Sequence, residues 1–342
     1  MDAVMRHAVG EHGGTDAMGA ARHDFSSNGN ACGPCPDALQ ALQRCDPTRY
    51  PDPCYTLLRE RLAALHGVRA SRVLVSASAS AFIFQMTAWF AQLGGGQVSV
   101  PAHGYSDYTR AAQAWGLPVQ QRGSQRCTAP RRSLVWHCDP SSPLGQSDAP
   151  DGGSEVVLDR AYEPLRLEGV CAWTSAQLDR VWQLWTPNKA LGLTGVRAAY
   201  VIAPADSEAA VTALASLFPS WPVGAHGQAL LLAWTRPAVQ AWVAQSLLTL
   251  RLWKARQLRM LALLGWSSEP SLANFFLARP DPAQCPACAL PDLLAELRQQ
   301  GIKLRDANSF GLPGAVRVSV QPPTAQEALV MALSRLGSGC RP

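Results

Sequence analysis

With 342 residues, 47% hydrophobic and 16% charged, the chain has the apolar content for one large domain and a smaller one, which excludes a disordered or fibrous protein. A net charge of +5 without a long basic run gives no footing for nucleic-acid binding. The longest apolar stretch, 239–266, is interrupted by Arg251, Lys254, Arg256 and Arg259, so it reads as a helix with one wet face and not as a membrane span.

Residues 1–22 are rich in Gly, Ala and His, lack the apolar run of a secretory signal, and are expected to form a loose tail on a cytoplasmic protein. Residues 23–50 follow as an arm. Within it, Ser27-Asn28-Gly29-Asn30 has the composition of a loop, and Cys32-Gly-Pro-Cys35 is spelled like a thioredoxin redox site. A second CxxC pair, Cys285 and Cys288, lies about 250 residues away, so a shared four-thiolate zinc site is weighed against the plainer reading of reduced cytosolic cysteines, which is preferred. No metal is expected.

From residue 71 short apolar runs alternate with helical stretches, the pattern of a mainly parallel α/β sheet. Strands are expected at 73–75, 98–101, 134–136, 156–158, 181–184 and 198–202, with helices over 78–93 and 105–115. Functional residues in such sheets gather in the loops at the carboxyl ends of the strands. After residue 205 helices dominate to about 265, broken at Pro219-Ser-Trp-Pro222. A small α+β unit closes the chain, with strands at 274–278, 302–305 and 315–320 and helices at 290–299 and 324–336. The expected division is a large domain over 51–265 and a small one over 266–342.

The segment Trp185-Thr-Pro-Asn-Lys-Ala-Leu-Gly-Leu-Thr-Gly-Val-Arg197 carries most of the chemistry, and is expected to be a turn running into helix. Lys189 can form a Schiff base, while Thr186, Asn188 and Arg197 can hold a phosphate beside it. Pyridoxal 5'-phosphate (PLP) needs both from a protein. The stretch resembles the lysine segment of fold-type I PLP enzymes, the class I/II aminotransferase superfamily, in particular its histidinol-phosphate aminotransferase-like branch. The resemblance covers residues 23–338 and implies a large PLP-binding domain, a small domain formed by both chain ends, and a homodimer.

Other residues follow from that resemblance in chain order. Arg49-Tyr50-Pro-Asp52 is similar to a segment whose tyrosine reaches the cofactor phosphate of the other subunit, and Asn28 falls where the arm borders the substrate. Ser78 and Ala79, in Ser76-Ala-Ser-Ala-Ser80, open a helix whose backbone N–H groups and dipole suit a phosphate; Ala77 stands where the family has glycine. Tyr105 matches the aromatic that stacks on the cofactor ring, and the neighbouring His103 is read as structural. Asp159-Arg-Ala-Tyr162 resembles the family's Asp-Glu-Ala-Tyr motif, which implies Asp159 on the pyridine nitrogen and Tyr162 on the phenolate oxygen; Arg160 replaces the glutamate and is expected to be peripheral. In Asp139-Pro-Ser-Ser142-Pro-Leu-Gly145, Ser142 stands where the family's asparagine bonds the phenolate oxygen. Arg317 matches the arginine that binds the substrate α-carboxylate through its bidentate fork.

An aminotransferase acting on an amino acid is the primary expectation. The wording Arg305-Asp-Ala-Asn-Ser-Phe-Gly-Leu-Pro-Gly314 also resembles threonine-phosphate decarboxylase of cobalamin biosynthesis. Loss of the phenolate-binding asparagine keeps open a PLP-binding homologue without activity.

Overall fold

The computed structural model describes residues 12–123, 132–283 and 289–339, with side chains to residue 336. Cys285 and Cys288 lie outside the described residues. Strands in chain order are β1 (His23–Asp24), β2 (Val73–Ser76), β3 (Gln97–Val100), β4 (Val119–Gln121), β5 (Ser133–Cys138), β6 (Glu155–Asp159), β7 (Trp182–Trp185), β8 (Ala199–Ile202), β9 (Ser267–Ser268), β10 (Phe275–Arg279), β11 (Ile302–Lys303), β12 (Arg305–Asp306) and β13 (Val316–Ser319).

Seven of them form one sheet in the order β2-β8-β7-β6-β5-β3-β4. All neighbours pair in parallel except β8, which runs antiparallel to β7 and to β2. The central strands are buried on both faces, which is why they read as unbroken apolar runs such as Leu134-Val-Trp136. Carboxyl ends of β2, β3, β5, β6 and β7 therefore share one edge of the sheet. Because β8 is reversed, its amino end falls on that same edge, which delivers Arg197 there.

Helix Ala79–Gln92 leaves β2 on that edge, capped by the Ser78 hydroxyl, which accepts from the Ala81 N–H at 3.0 Å. A second sheet, β12-β13-β10-β9, is antiparallel. The strand expected over 302–305 is in fact two. Ile302–Lys303 pairs in parallel with β1, and Arg305–Asp306 turns to β13, so the early chain is built into the late unit. Helix Pro237–Leu263 runs beside both parts, with Val239, Leu250 and Leu261 in the core they share. Among the described residues no helix is long and apolar enough to cross a membrane.

Two sequence expectations are corrected. The lysine segment after β7 is a run of turns with no helix, because residues 186–198 cross back to feed the antiparallel β8. Described residues 12–22 are not a loose tail either: Asp16 pairs with Arg298 at 2.7 Å and Lys303 at 2.9 Å, anchoring the segment to the C-terminal unit.

Candidate active site

A cavity of about 850 Å³ opens at the shared edge of the sheet, lined from one side by the strand ends and from the other by β13 and the loop after β12. Lys189, Asp159, Tyr162, Ser78, Ala79, Tyr105, Ser142, Thr186, Asn188, Arg197, Asn28 and Arg317 all line it. Tyr50 does not. It is 79% exposed and stacks on Trp221 with ring centroids 4.5 Å apart, outside its own chain's cavity.

Lys189 reaches into the cavity from the turn after β7. Its Nζ donates one long hydrogen bond, 3.4 Å, to Thr186 Oγ1 and lies 5.4 Å from the centre of the Tyr162 ring. The turn is held by the arm: the Asn30 N–H donates to the Lys189 carbonyl at 2.8 Å and the Cys35 N–H to that of Leu191 at 2.8 Å. Gly33 and Gly192 make this contact possible. A Cβ on Gly192 would sit 3.0 Å from the Gly33 Cα, and Gly192 has a φ of +66° that suits glycine.

The Cys32-Gly-Pro-Cys35 spelling thus belongs to a packing contact. Cys35 does open helix Pro36–Arg44, but burial pushes both thiols up, opposite to the lowered pKa of a redox cysteine. Among the described residues no group of His, Cys, Asp and Glu could hold a metal ion.

Asp159 ends β6 and is buried. Its Oδ2 accepts from the Tyr108 hydroxyl at 2.7 Å and its Oδ1 from the Ala161 N–H at 2.9 Å. Burial pushes the carboxyl up, opposed by the Tyr108 bond and the Lys189 charge. A carboxylate so placed is matched to a cationic nitrogen. Tyr108 itself stacks on Trp136 at 4.8 Å. Sequence reading missed it, although it stands one helical turn after Tyr105, the spacing that puts both on one face.

The Tyr162 hydroxyl accepts from Asn28 Nδ2 at 3.3 Å, so its own proton can point into the cavity. Tyr105 bonds Ser80 Oγ at 3.0 Å, and burial pushes its phenol up. His103 sits apart, its Nδ1 2.7 Å from the Phe310 carbonyl, tying β3's loop to the loop after β12.

Three residues do something other than expected. Asn188 turns its amide toward its own loop, donating to the carbonyls of Thr194 at 3.3 Å and Val196 at 3.2 Å; it shapes the turn that presents Arg197 and has no amide proton left over for a phosphate. Ser142 accepts from Arg317 Nη1 at 3.0 Å, so the serine hydroxyl faces the arginine. Arg160 is buried, not peripheral: its guanidinium lies 4.4 Å over the Trp185 ring, bonds Gln183 Oε1 at 3.1 Å and pairs with Glu163.

Arg317 extends from β13 with its second Nη donating to the Ser26 carbonyl at 2.9 Å, while its buried Nε has no partner among the described residues. Arg305, on the paired strand position, donates to Ser309 Oγ at 2.6 Å. Both Arg305 and Ser309 line the cavity, and both were visible only as part of the longer Arg305–Gly314 wording.

These residues suit PLP. A lysine amine with one long hydrogen bond, a buried carboxylate, a tyrosine hydroxyl at the cavity, the N–H groups that open a 14-residue helix, and Arg197, which has no hydrogen-bond partner among the described residues, supply a group for each part of that molecule. Fold and site together define a fold-type I PLP enzyme. A family model for aminotransferase class I and II matches residues 23–336, and the chain belongs to that family.

Among curated relatives, the histidinol-phosphate aminotransferase of Ruegeria pomeroyi is 29% identical over 336 residues, covering 90% of this chain and 89% of that protein. Two solved structures share the fold. The histidinol-phosphate aminotransferase of Sinorhizobium meliloti, in complex with pyridoxal-5'-phosphate, has a TM-score of 0.74 at 20% identity and covers 92% of this chain and 90% of that one. The L-threonine-O-3-phosphate decarboxylase of Porphyromonas gingivalis has 0.67 at 21% identity, covering 87% and 91%.

Proposed function

We propose that this PLP-dependent enzyme transfers an amino group between an amino acid and a keto acid, with Lys189 as the residue that carries the cofactor covalently. The observation that carries the reading is the placement of Lys189 Nζ in one cavity with Asp159, Tyr162 and Arg317. When bound, PLP draws off the electron pair left as a bond to the substrate Cα breaks. Asp159 would face the pyridine nitrogen, its negative charge keeping a proton there. Tyr162, oriented by Asn28, would donate to the phenolate oxygen, while the Ser142 hydroxyl would steady the Arg317 guanidinium. Ser78, Ala79, Thr186 and Arg197 would hold the phosphate, and Tyr105 would cover the ring and exclude water. Arg317 would bind the α-carboxylate, and Lys189 Nζ would move the proton on and off Cα.

A second reading is decarboxylation, favoured by Arg305 and Ser309 on Arg317's side of the cavity, within the wording that resembles threonine-phosphate decarboxylase. The same arginine would serve either outcome, according to the angle at which it holds the carboxylate. Incubating the holoenzyme with amino acids and their phosphate esters decides between them. Keto acid without carbon dioxide is expected. Carbon dioxide in its place would establish the decarboxylase, and neither product would leave a PLP-binding homologue without activity.

The same reading includes a cytoplasmic homodimer, in which the six described cysteines, all free, stay reduced. Tyr50, exposed and stacked on the half-exposed Trp221, is the group that would cross to the partner's cofactor phosphate. Mixing an inactive Lys189→Ala chain with an inactive Tyr50→Ala chain is expected to restore part of the activity, because one site of the hybrid holds both residues. A fully active monomer in sedimentation at assay concentration would refute the shared site.

A further inference from the structure

A contact outside the active-site cavity joins a loop of the seven-stranded sheet to a loop of the C-terminal unit. His103 stands in the segment that leaves β3, and its Nδ1 lies 2.7 Å from the Phe310 carbonyl, 207 positions along the chain. A carbonyl only accepts, so Nδ1 carries the proton and donates. Phe310 ends the single 3₁₀ turn Asn308–Phe310, which Gly311 closes at a φ of +76°. The last carbonyls of such a turn have no partner within it, and a histidine donor supplies one. Inside the turn, the Phe310 N–H donates to the Ala307 carbonyl at 2.9 Å and the Gly311 N–H to that of Asn308 at 2.8 Å. Those bonds shape the turn, while the His103 bond ties it to the large sheet. A second cavity, about 410 Å³, borders the contact, with Val100, His103 and Tyr108 on one side and Phe310 and Gly311 on the other. The turn thus faces open space there, and the hydrogen bond spans it.

The Phe310 side chain carries the consequence inward. Phe310 lines the active-site cavity, whereas His103 does not. The guanidinium carbon of Arg317 lies 5.5 Å from the Phe310 ring centre and 5.7 Å from that of Phe275, and the guanidinium carbon of Arg305 lies 4.9 Å from Phe310. Arg305 and Arg317 stand opposite each other across the antiparallel pair of β12 and β13. Like charges opposed on neighbouring strands repel, and a ring face placed against both offsets part of that repulsion. The position of the Phe310 ring therefore helps set where the Arg317 fork lies. We propose that His103 is a positioning residue for the reaction, holding the Phe310 backbone so that the ring keeps the Arg317 guanidinium in place to receive the substrate carboxylate. The inference rests on the reading of Arg317 as the carboxylate site. A carboxylate held alike before and during bond breaking contributes to binding and not to the chemical step, so His103 acts on KM and leaves kcat.

The test uses the holoenzyme with His103→Leu, His103→Asn and Phe310→Leu. Leucine fills the space without a donor, and asparagine offers an amide N–H about where Nδ1 stands. His103→Leu is expected to raise KM for the amino acid about three- to ten-fold, the scale of one lost hydrogen bond, and to speed amide exchange over 307–312. Its kcat and PLP affinity should stay within about two-fold. His103→Asn should return KM and exchange to near wild-type values. Phe310→Leu should raise KM by a similar factor while exchange stays slow. Combining it with His103→Leu should do no further harm, because the histidine acts through the ring. Unchanged KM in His103→Leu, no rescue by His103→Asn, or additive effects in the double variant would overturn the proposal. Arg317→Lys checks the underlying reading by itself. KM raised there but not in His103→Leu overturns the role of His103 alone, and KM unchanged in Arg317→Lys overturns the carboxylate site and the His103 role with it. If the wild type turns over no amino acid, calorimetric binding of the same amino acids decides, and equal affinities for wild type and His103→Leu overturn the role.

Discussion

Replacing Lys189 with alanine is expected to abolish turnover, a loss of roughly 10²–10⁴-fold or more, the range for removing a positioned proton-transfer group. The protein should remain folded. Among the described residues the one hydrogen bond of Lys189 Nζ is the 3.4 Å bond to Thr186, and the turn around it is held by backbone contacts from the arm, Asn30 to the Lys189 carbonyl and Cys35 to that of Leu191. Wild-type protein should be yellow with PLP, and borohydride should fix the cofactor mass to the peptide containing Lys189. Lys189→Ala should take up cofactor through the phosphate donors but release it on denaturation after the same treatment. A colourless wild type, or cofactor fixed to another peptide, would sink the assignment of Lys189.

Asp159→Asn and Arg197→Ala are expected to fail in opposite ways. The asparagine keeps the shape of the site but loses the charge that balances a cationic nitrogen in a buried place. Turnover should fall roughly 10²–10³-fold, as for other losses of one preorganised electrostatic contact, while cofactor stays bound. Arg197→Ala removes a charge-assisted contact worth about 1.5–3 kcal/mol, so the cofactor concentration for half-saturation should rise about 10- to 100-fold with kcat nearly restored at saturation. Titrating each apoprotein with PLP and following both absorbance and rate separates the two. Variants that behaved alike would show that the proposed division between ring nitrogen and phosphate is wrong.

Much of the site was legible because it is local. Lys189, Thr186, Asn188 and Arg197 come from one segment, Asp159 and Tyr162 from another, and each stands at a strand end that period and composition mark out. Strand ends are where a parallel sheet exposes backbone and side chains to a ligand, so order along the chain carries over into proximity. Roles that depend on a second segment were not legible. Asn188 bonds its own loop because β8 runs backwards and the chain must turn tightly to enter it. Ser142 faces Arg317, which is 175 residues away in the chain.

By itself the sequence determined the class of fold, through the alternation of short apolar runs with helical stretches, and its motifs carried the resemblance to the class I/II aminotransferases that implies the cofactor. Only the tertiary structure decided which partner each residue meets. Tyr108 reaches Asp159 across 51 positions, Arg160 is buried against Trp185 and Gln183, and Asp16 meets Arg298 and Lys303, ion partners more than 280 positions away. Those contacts arise from sheet order and from the pairing of β1 with β11, which joins the two ends of the chain. Long-range pairing of that kind leaves no periodic trace in either segment alone.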